Sequence, residues 1–159
     1  YAQDYDERFP HGYVYGTGPE AGGWYTFIGP YIKNTQILIC PSQNVTVTCS
    51  YGVSYNNMFT DTTSGPRGCK LGAIDAPAEA LLLGETATAA GGSTWYYYSP
   101  KRYPYPYDVA PYNRIPNPGR HNDGSNVAFA DGHAKWVASQ TMISNSWSGW
   151  TAQPASAVQ

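Results

Sequence analysis

Pro118-Gly119-Arg120-His121-Asn122-Asp123-Gly124-Ser125-Asn126-Val127-Ala128-Phe129-Ala130-Asp131-Gly132-His133-Ala134-Lys135-Trp136-Val137 decides how this chain folds. It holds two Asp-Gly pairs, at 123–124 and 131–132. Asp-Gly between alternating residues is a strong hairpin signal, because a type I′ turn needs positive φ at both central positions. A two-residue loop at 131–132 sets Phe129 opposite Ala134, Ala128 opposite Lys135 and Val127 opposite Trp136. A second loop at 123–124 sets His121 opposite Asn126. Side chains alternate across a strand. One face therefore carries Val127, Phe129, Ala134 and Trp136 as core. The other, wet face carries His121, Asn126, Ala128, His133 and Lys135. The reading is a three-stranded antiparallel meander.

The same geometry weighs the chemistry of the stretch. His121 and His133 share the wet face, but four rises of ~3.4 Å part them by ~13 Å. They cannot ligate one metal, whose ligands must lie within a few ångströms of each other. Asp131 serves its own turn, since Asp accepts backbone N–H bonds and tolerates the left-handed region. A catalytic reading would use His121, His133, Asp123, Asp131 and Glu85, and the turn chemistry outweighs it. No Gly-x-Ser-x-Gly elbow occurs, and Cys40 precedes Pro41 with no base near it in sequence.

Outward from the meander, Ala80-Leu81-Leu82-Leu83-Gly84-Glu85 reads as a buried strand. Val45 to Tyr55 alternates with period two and reads as the longest strand, and Gln36 to Cys40 as a short one stopped by Pro41. Trp24 to Ile32, broken by Gly29-Pro30, reads as a short helical segment and a turn that docks Trp24 and Phe27. Residues 1–7 read as the last turns of a helix, with Tyr1 and Tyr5 on one face, ended by Pro10 and Gly12. Residues 12–23 are a Gly-rich loop. Residues 87–119 form a long excursion rich in aromatics and proline, with an edge strand at 95–98. Residues 139–159 are a Ser/Gln/Ala-rich tail carrying Trp147 and Trp150, beyond a domain of residues 1–138.

The chain has 159 residues and a formal net charge of −2, with 13% charged residues. That is about half the usual charged fraction, and it gives no basic patch for nucleic acid or for a membrane surface. Fifteen Tyr and five Trp suit half-buried surfaces and contacts. This composition fits an extracellular or assembled protein. No apolar run is long enough to span a membrane. Trp95, Tyr96, Tyr97, Tyr98, Tyr103, Tyr105 and Tyr107, with Trp147 and Trp150, are the candidate interface residues, since aromatics are enriched at contacts. The alternative use of the 95–112 stretch is a stacking platform for carbohydrate.

His121, nine residues and then Asp131-Gly132 resembles the signature of the bacterial H-x9-DG domain of prepilin-type proteins. Arg120, Phe129 and His133 to Trp136 extend the match. Tyr1 to Pro10, Trp24 to Tyr31, Ile37 to Ser42, Ser50 to Gly52 and Ala76 to Glu85 look similar to the same family, in the same order. The resemblance implies structural roles for Arg120, His121, Phe129, Asp131, Gly132, His133 and Glu85. It implies a pilin-like α+β domain with an antiparallel sheet packed against the end of an N-terminal helix whose apolar part is not in this sequence. A membrane would be met only through that helix.

It further implies a non-enzymatic subunit of an extracellular or cell-surface filament or pseudopilus, polymerising with itself and with other pilin-like subunits. No cofactor is expected. Pseudopilins of secretion systems hold calcium in a C-terminal loop. Here Asp123 and Asp131 are the carboxylates such an ion would use, without a matching pattern of ligands.

Cys40, Cys49 and Cys69 lack Cys-x-x-Cys spacing and have no His near them in sequence, so no zinc site is expected. In the family the absent helix commonly carries a Cys. Pairing of that Cys with Cys40 would leave Cys49 to bridge Cys69, worth roughly 3 kcal/mol. Cys40–Cys49 across a short hairpin is the rival, and sequence leaves the connectivity open.

Overall fold

The computed structural model of the chain describes residues 1–15, 21–44, 46–55, 58–59, 68–87, 96–98, 115–144 and 147–154. The fold is α+β. A five-stranded sheet runs in the order β5-β3-β4-β6-β7, where β3 is Tyr51–Tyr55, β4 Leu81–Glu85, β5 Tyr96–Tyr98, β6 Gly124–Phe129 and β7 Ala134–Ala138. All neighbours are antiparallel except β5, which lies parallel to β3. A separate antiparallel pair joins β1 (Tyr13–Val14) to β2 (Gly22–Gly23). The helices are single turns: α1 (Trp24–Ile28), α2 (Ser139–Ile143) and α3 (Ser148–Thr151).

The hairpin of β6 and β7 is present, with its register one residue away from the expected one. Gly132 N–H donates to the Phe129 carbonyl at 2.9 Å and Phe129 N–H to the His133 carbonyl at 2.9 Å, with Gly132 at φ 93°. That is a three-residue loop over 130–132, in which glycine takes the left-handed position that closes a bulge. The extra loop residue pairs Ala128 with Ala134, Val127 with Lys135 and Asn126 with Trp136. Because the side-chain period is two, a one-residue slip moves every side chain of one strand to the other face. Val127 and Phe129 are buried as expected, but Trp136 is not core: it is 49% exposed and lies on the Asn126 face.

The first Asp-Gly pair is also offset. Asn122 and Asp123, at φ 52° and 61°, are the central residues of a tight turn closed by His121 and Gly124. Gly124 already belongs to β6, beneath the Trp136 indole, and a Cβ there would run into the ring. Only a single bridge, His121 to Gly124, precedes β6 on that side. The meander therefore has two strands rather than three, and the other neighbour of β6 is β4.

Strand β4 changes phase along its length. Leu81 pairs with Phe129, but Leu83 pairs with Ala128, so the register shifts between them. Opposed residues share a face. The bulge thus sends Leu81 to one side of the sheet with Phe129 and Val127, and sends Leu83 and Glu85 to the other. Both sides are covered. Leu81, Ile115, Val127, Phe129, Val137 and Met142 form one apolar cluster, with Trp147 packed against it. Gln153 lies on the same side, accepting from Ser54 Oγ at 2.8 Å and donating to the Leu81 carbonyl at 3.1 Å. Met142, Trp147 and Gln153 of the expected tail therefore pack on the sheet. Phe9, Trp24, Leu38, Val53, Met58, Phe59 and Ala80 form the other cluster. It leaves a cavity of about 240 Å³ bordered by Tyr1, Phe9, Trp24, Ile28 and Leu83.

Other elements differ from expectation for local reasons. Thr35–Leu38 is a 3₁₀ turn rather than part of a strand, because the Asn34 side chain accepts the Gln36 N–H at 2.9 Å and caps the turn. Regular pairing in the period-two stretch begins only at Tyr51, and residues 46–50 are irregular. The first residues form a 3₁₀ turn over Ala2–Asp4 with the Tyr1 and Tyr5 rings stacked at 4.2 Å, and Asp6 and Glu7 at positive φ end it. The short helix at Trp24, the buried strand β4 and the edge strand at 96–98 are where the sequence places them. Among the described residues no helix is long and apolar enough to cross a membrane.

Candidate functional site

Three side chains from distant parts of the chain meet at the β4–β6 face of the sheet. Glu85 is the last residue of β4, turned to this face by the bulge, and is 1% exposed. His121 opens the tight turn before β6, and its carbonyl accepts the Trp136 indole N–H at 2.7 Å. Cys40 follows the 3₁₀ turn, and its backbone N–H donates to Ser50 Oγ at 2.9 Å. His121 Nε2 lies 2.7 Å from Glu85 Oε1 and 3.3 Å from Cys40 Sγ, and Sγ lies 3.6 Å from Oε1. Among the described residues this is the one group of His, Cys and carboxylate side chains that could hold a metal ion.

A buried carboxylate needs several partners to offset its lost hydration. The Asn126 backbone N–H donates to Glu85 Oε2 and the Asn126 side-chain amide to Oε1, both at 3.3 Å. Cys40 is 2% exposed, whereas the His121 side chain is 30% exposed, so the cluster opens to solvent on the histidine side. Arg120 lies beside it, donating from Nη2 to the Thr86 carbonyl, while its buried Nη1 has no hydrogen-bond partner among the described residues. Tyr51, paired with Glu85 across β3 and β4, has its phenol pushed up by burial first and then by Cys40 and Glu85.

The arrangement converges rather than relays. In a nucleophile–histidine–acid triad the imidazole uses one nitrogen for the nucleophile and the other for the acid. Here a single nitrogen, Nε2, faces both the sulfur and the carboxylate. That is how ligands surround a common point.

The sequence motif splits into two places. Arg120, His121 and Glu85 belong to the cluster just described. Phe129, Asp131, Gly132 and His133 form the far end of the hairpin, where His133 stacks on Phe129 at 4.5 Å. Asp131 Oδ1 accepts the His133 N–H at 3.0 Å and contacts His133 Nδ1 at 2.6 Å. The backbone N–H of His133 is the main reason that the Asp131 carboxyl is held below its usual range. Asp123 and Asp131 flank β6 at opposite ends, so a strand of roughly 20 Å separates them and they do not share a calcium site.

No disulfide joins the three cysteines. Cys40 is turned to His121 and Glu85. Cys49 Sγ faces the Tyr51 carbonyl at 3.3 Å and Cys69 Sγ faces Met58 Sδ at 3.9 Å, so the expected bridges Cys49–Cys69 and Cys40–Cys49 are not formed. Burial pushes the Cys49 thiol up to about 11 and the Cys69 thiol up to about 12.

Trp147 sets its ring edge-on to Phe129 at 6.4 Å, docking on its own domain. Trp150 lies in α3 and Tyr96, Tyr97 and Tyr98 form β5. Trp95, Tyr103, Tyr105 and Tyr107 lie outside the described residues.

Cys40, a disulfide candidate from its sequence, joins the cluster from outside the expected motif. Its histidine lies 81 positions away and its carboxylate 45 positions away, so no local spacing marks them. The one available signal was Glu85 itself, a charge closing the apolar run Leu81-Leu82-Leu83. No protein-family model, curated protein or solved structure matches the chain.

Proposed function

We propose that the chain is the globular domain of a pilin-like, non-enzymatic structural subunit of an extracellular filament or pseudopilus. One observation carries the reading. Each of the six segments that resemble the prepilin-type H-x9-DG family contributes to the five-stranded sheet or to an apolar cluster packed on it, and three of them each send one side chain to the Cys40–Glu85–His121 cluster. The cluster thereby ties the start, middle and end of the domain together, which suits a load-bearing unit. Its convergence on one imidazole nitrogen does not suit a proton relay.

The sheet adds support. Among the described residues it ends at β5 on one side and at β7 on the other. Strand β7 carries the half-exposed Trp136. A polymer that grows as a helix needs two different surfaces that complement each other head to tail, and unlike edges offer such a pair. The test is electron microscopy of the full-length gene product purified from the cell surface. Helical polymers that persist in high salt are expected, because apolar burial is screened little by salt. Changing Tyr103, Tyr105 and Tyr107 together to Ser should abolish them. Monodisperse wild-type particles at all protein concentrations would refute the reading.

A further inference from the structure

We infer that Cys40, Glu85 and His121 form a binding site for a single transition-metal dication, zinc(II) by its ligand chemistry. The inference stands whether or not the chain polymerises. Thiolate, imidazole and carboxylate are the three ligand types zinc takes, at about 2.3, 2.0 and 2.0 Å, with near-tetrahedral angles. Those bond lengths put sulfur ~3.5 Å from the nitrogen and from the oxygen. The structure has 3.3 Å and 3.6 Å. Only the His121–Glu85 separation, 2.7 Å, is that of a hydrogen bond. It would have to open by ~0.6 Å to admit the ion, a shift that a side chain 30% exposed can make.

The surroundings hold the ligands in place. Glu85 is oriented by both Asn126 donors, Cys40 by its backbone bond to Ser50, and His121 by the Trp136 indole on its carbonyl. Groups that orient ligands in this way commonly change metal affinity by 10–100-fold when removed. One thiolate and one carboxylate offset the charge of a dication, so the ion and its three ligands are together neutral. The hard dications calcium and magnesium prefer all-oxygen ligands and would be rejected by sulfur and imidazole. The exposed side of His121 leaves room for a fourth ligand, water or an incoming donor group.

The experiment titrates the chelator-stripped chain with cobalt(II) chloride alone, then displaces it with zinc(II) chloride. One cobalt per chain should bind and give the thiolate-to-cobalt charge-transfer band and tetrahedral ligand-field bands. Zinc should abolish both and raise the Tm, since a ligand bound only by the native state stabilises it. Cys40→Ser should lose the charge-transfer band, Glu85→Gln and His121→Gln should weaken binding at least 10-fold, and Asn126→Ala about 10–100-fold. Because Cys40→Ser removes a buried group, two readouts do not depend on it. His121→Gln alters a part-exposed position, and its far-ultraviolet circular dichroism should match the wild type. X-ray absorption of the wild-type zinc form should show one sulfur and two or three nitrogen or oxygen neighbours. No cobalt band in the wild type, an unchanged band in folded His121→Gln, or a zinc shell with no sulfur or with several would each overturn the assignment.

Discussion

Truncating Glu85 tests the buried cluster directly. In Glu85→Ala the Asn126 backbone N–H loses its acceptor in a part-buried place, which costs about 1–3 kcal/mol. The Asn126 amide and the His121 ring can both reach water, so each loses only about 0.5–1.5 kcal/mol. Loss of the buried side chain leaves a small cavity that adds about 1 kcal/mol. Relief of the carboxylate's own desolvation works in the opposite direction. The net expectation is a loss of about 2–4 kcal/mol. Glu85→Gln keeps the shape and one acceptor oxygen, but aims its amide N–H groups at donors, and should lose about 1–2 kcal/mol.

The assay is urea denaturation at pH 7 with chelator present, followed by tryptophan fluorescence, so that bound metal does not contribute. A double-mutant cycle with Asn126→Ala, which removes only the side-chain amide bond, should return a coupling of about 0.5–1.5 kcal/mol. A Glu85→Ala loss under 1 kcal/mol would show that Glu85 is not held as described, and a coupling of zero would show that the Asn126 side-chain amide takes no part.

Three further outcomes are expected. Phe129→Ala, at a position 1% exposed, should lose about 3–5 kcal/mol, and Trp136→Ala, half-exposed, roughly half as much; equal losses would return Trp136 to the core and restore the two-residue loop. Thiol titration in denaturant without reductant should count three free cysteines, and a count of one would establish a bridge. Stability should fall above pH 9, because the folded thiols of Cys49 and Cys69 are raised from 9.0 to about 11 and about 12. The sign follows from the folded state keeping protons that the unfolded state sheds: the contribution is whole below pH 9 and fades as pH climbs toward 11–12, by at most ~1.4 kcal/mol per thiol for each step of one in pH. Denaturation midpoints that do not move between pH 8 and 10.5 would refute the burial of those two thiols.

The fold was legible wherever a residue type left one conformation open. The tight turns at both Asp-Gly pairs, the apolar run of β4 and the helical turn at Trp24 could all be read from local chemistry. What could not be read was phase. Asp-Gly serves a two-residue loop and a three-residue loop equally well, and the choice between them decides whether Trp136 or Val137 faces inward. The Asn34 cap likewise outcompeted the β-branched run that follows it. The cluster depended on phase and on long-range contact together. His121 and Asn126 were on the expected face, yet Cys40 and Glu85 reach them only after the sheet has assembled.

The bulge in β4 acts on the strand much as a frameshift acts on a coding sequence. Upstream of Leu82 the strand is read in one phase and downstream in the other. Regular pairing of all five residues would leave Cys40, Glu85, His121 and every neighbour they touch unaltered in identity. It would nevertheless set Glu85 opposite Ser125, in the layer of Val127 and Phe129, and put Gly84 opposite Asn126 in its stead. Deleting Leu82, by contrast, would remove the extra residue and still leave Glu85 opposite Asn126. The cluster is thus encoded as much by where the ladder takes its extra residue as by the kind of residues it brings together.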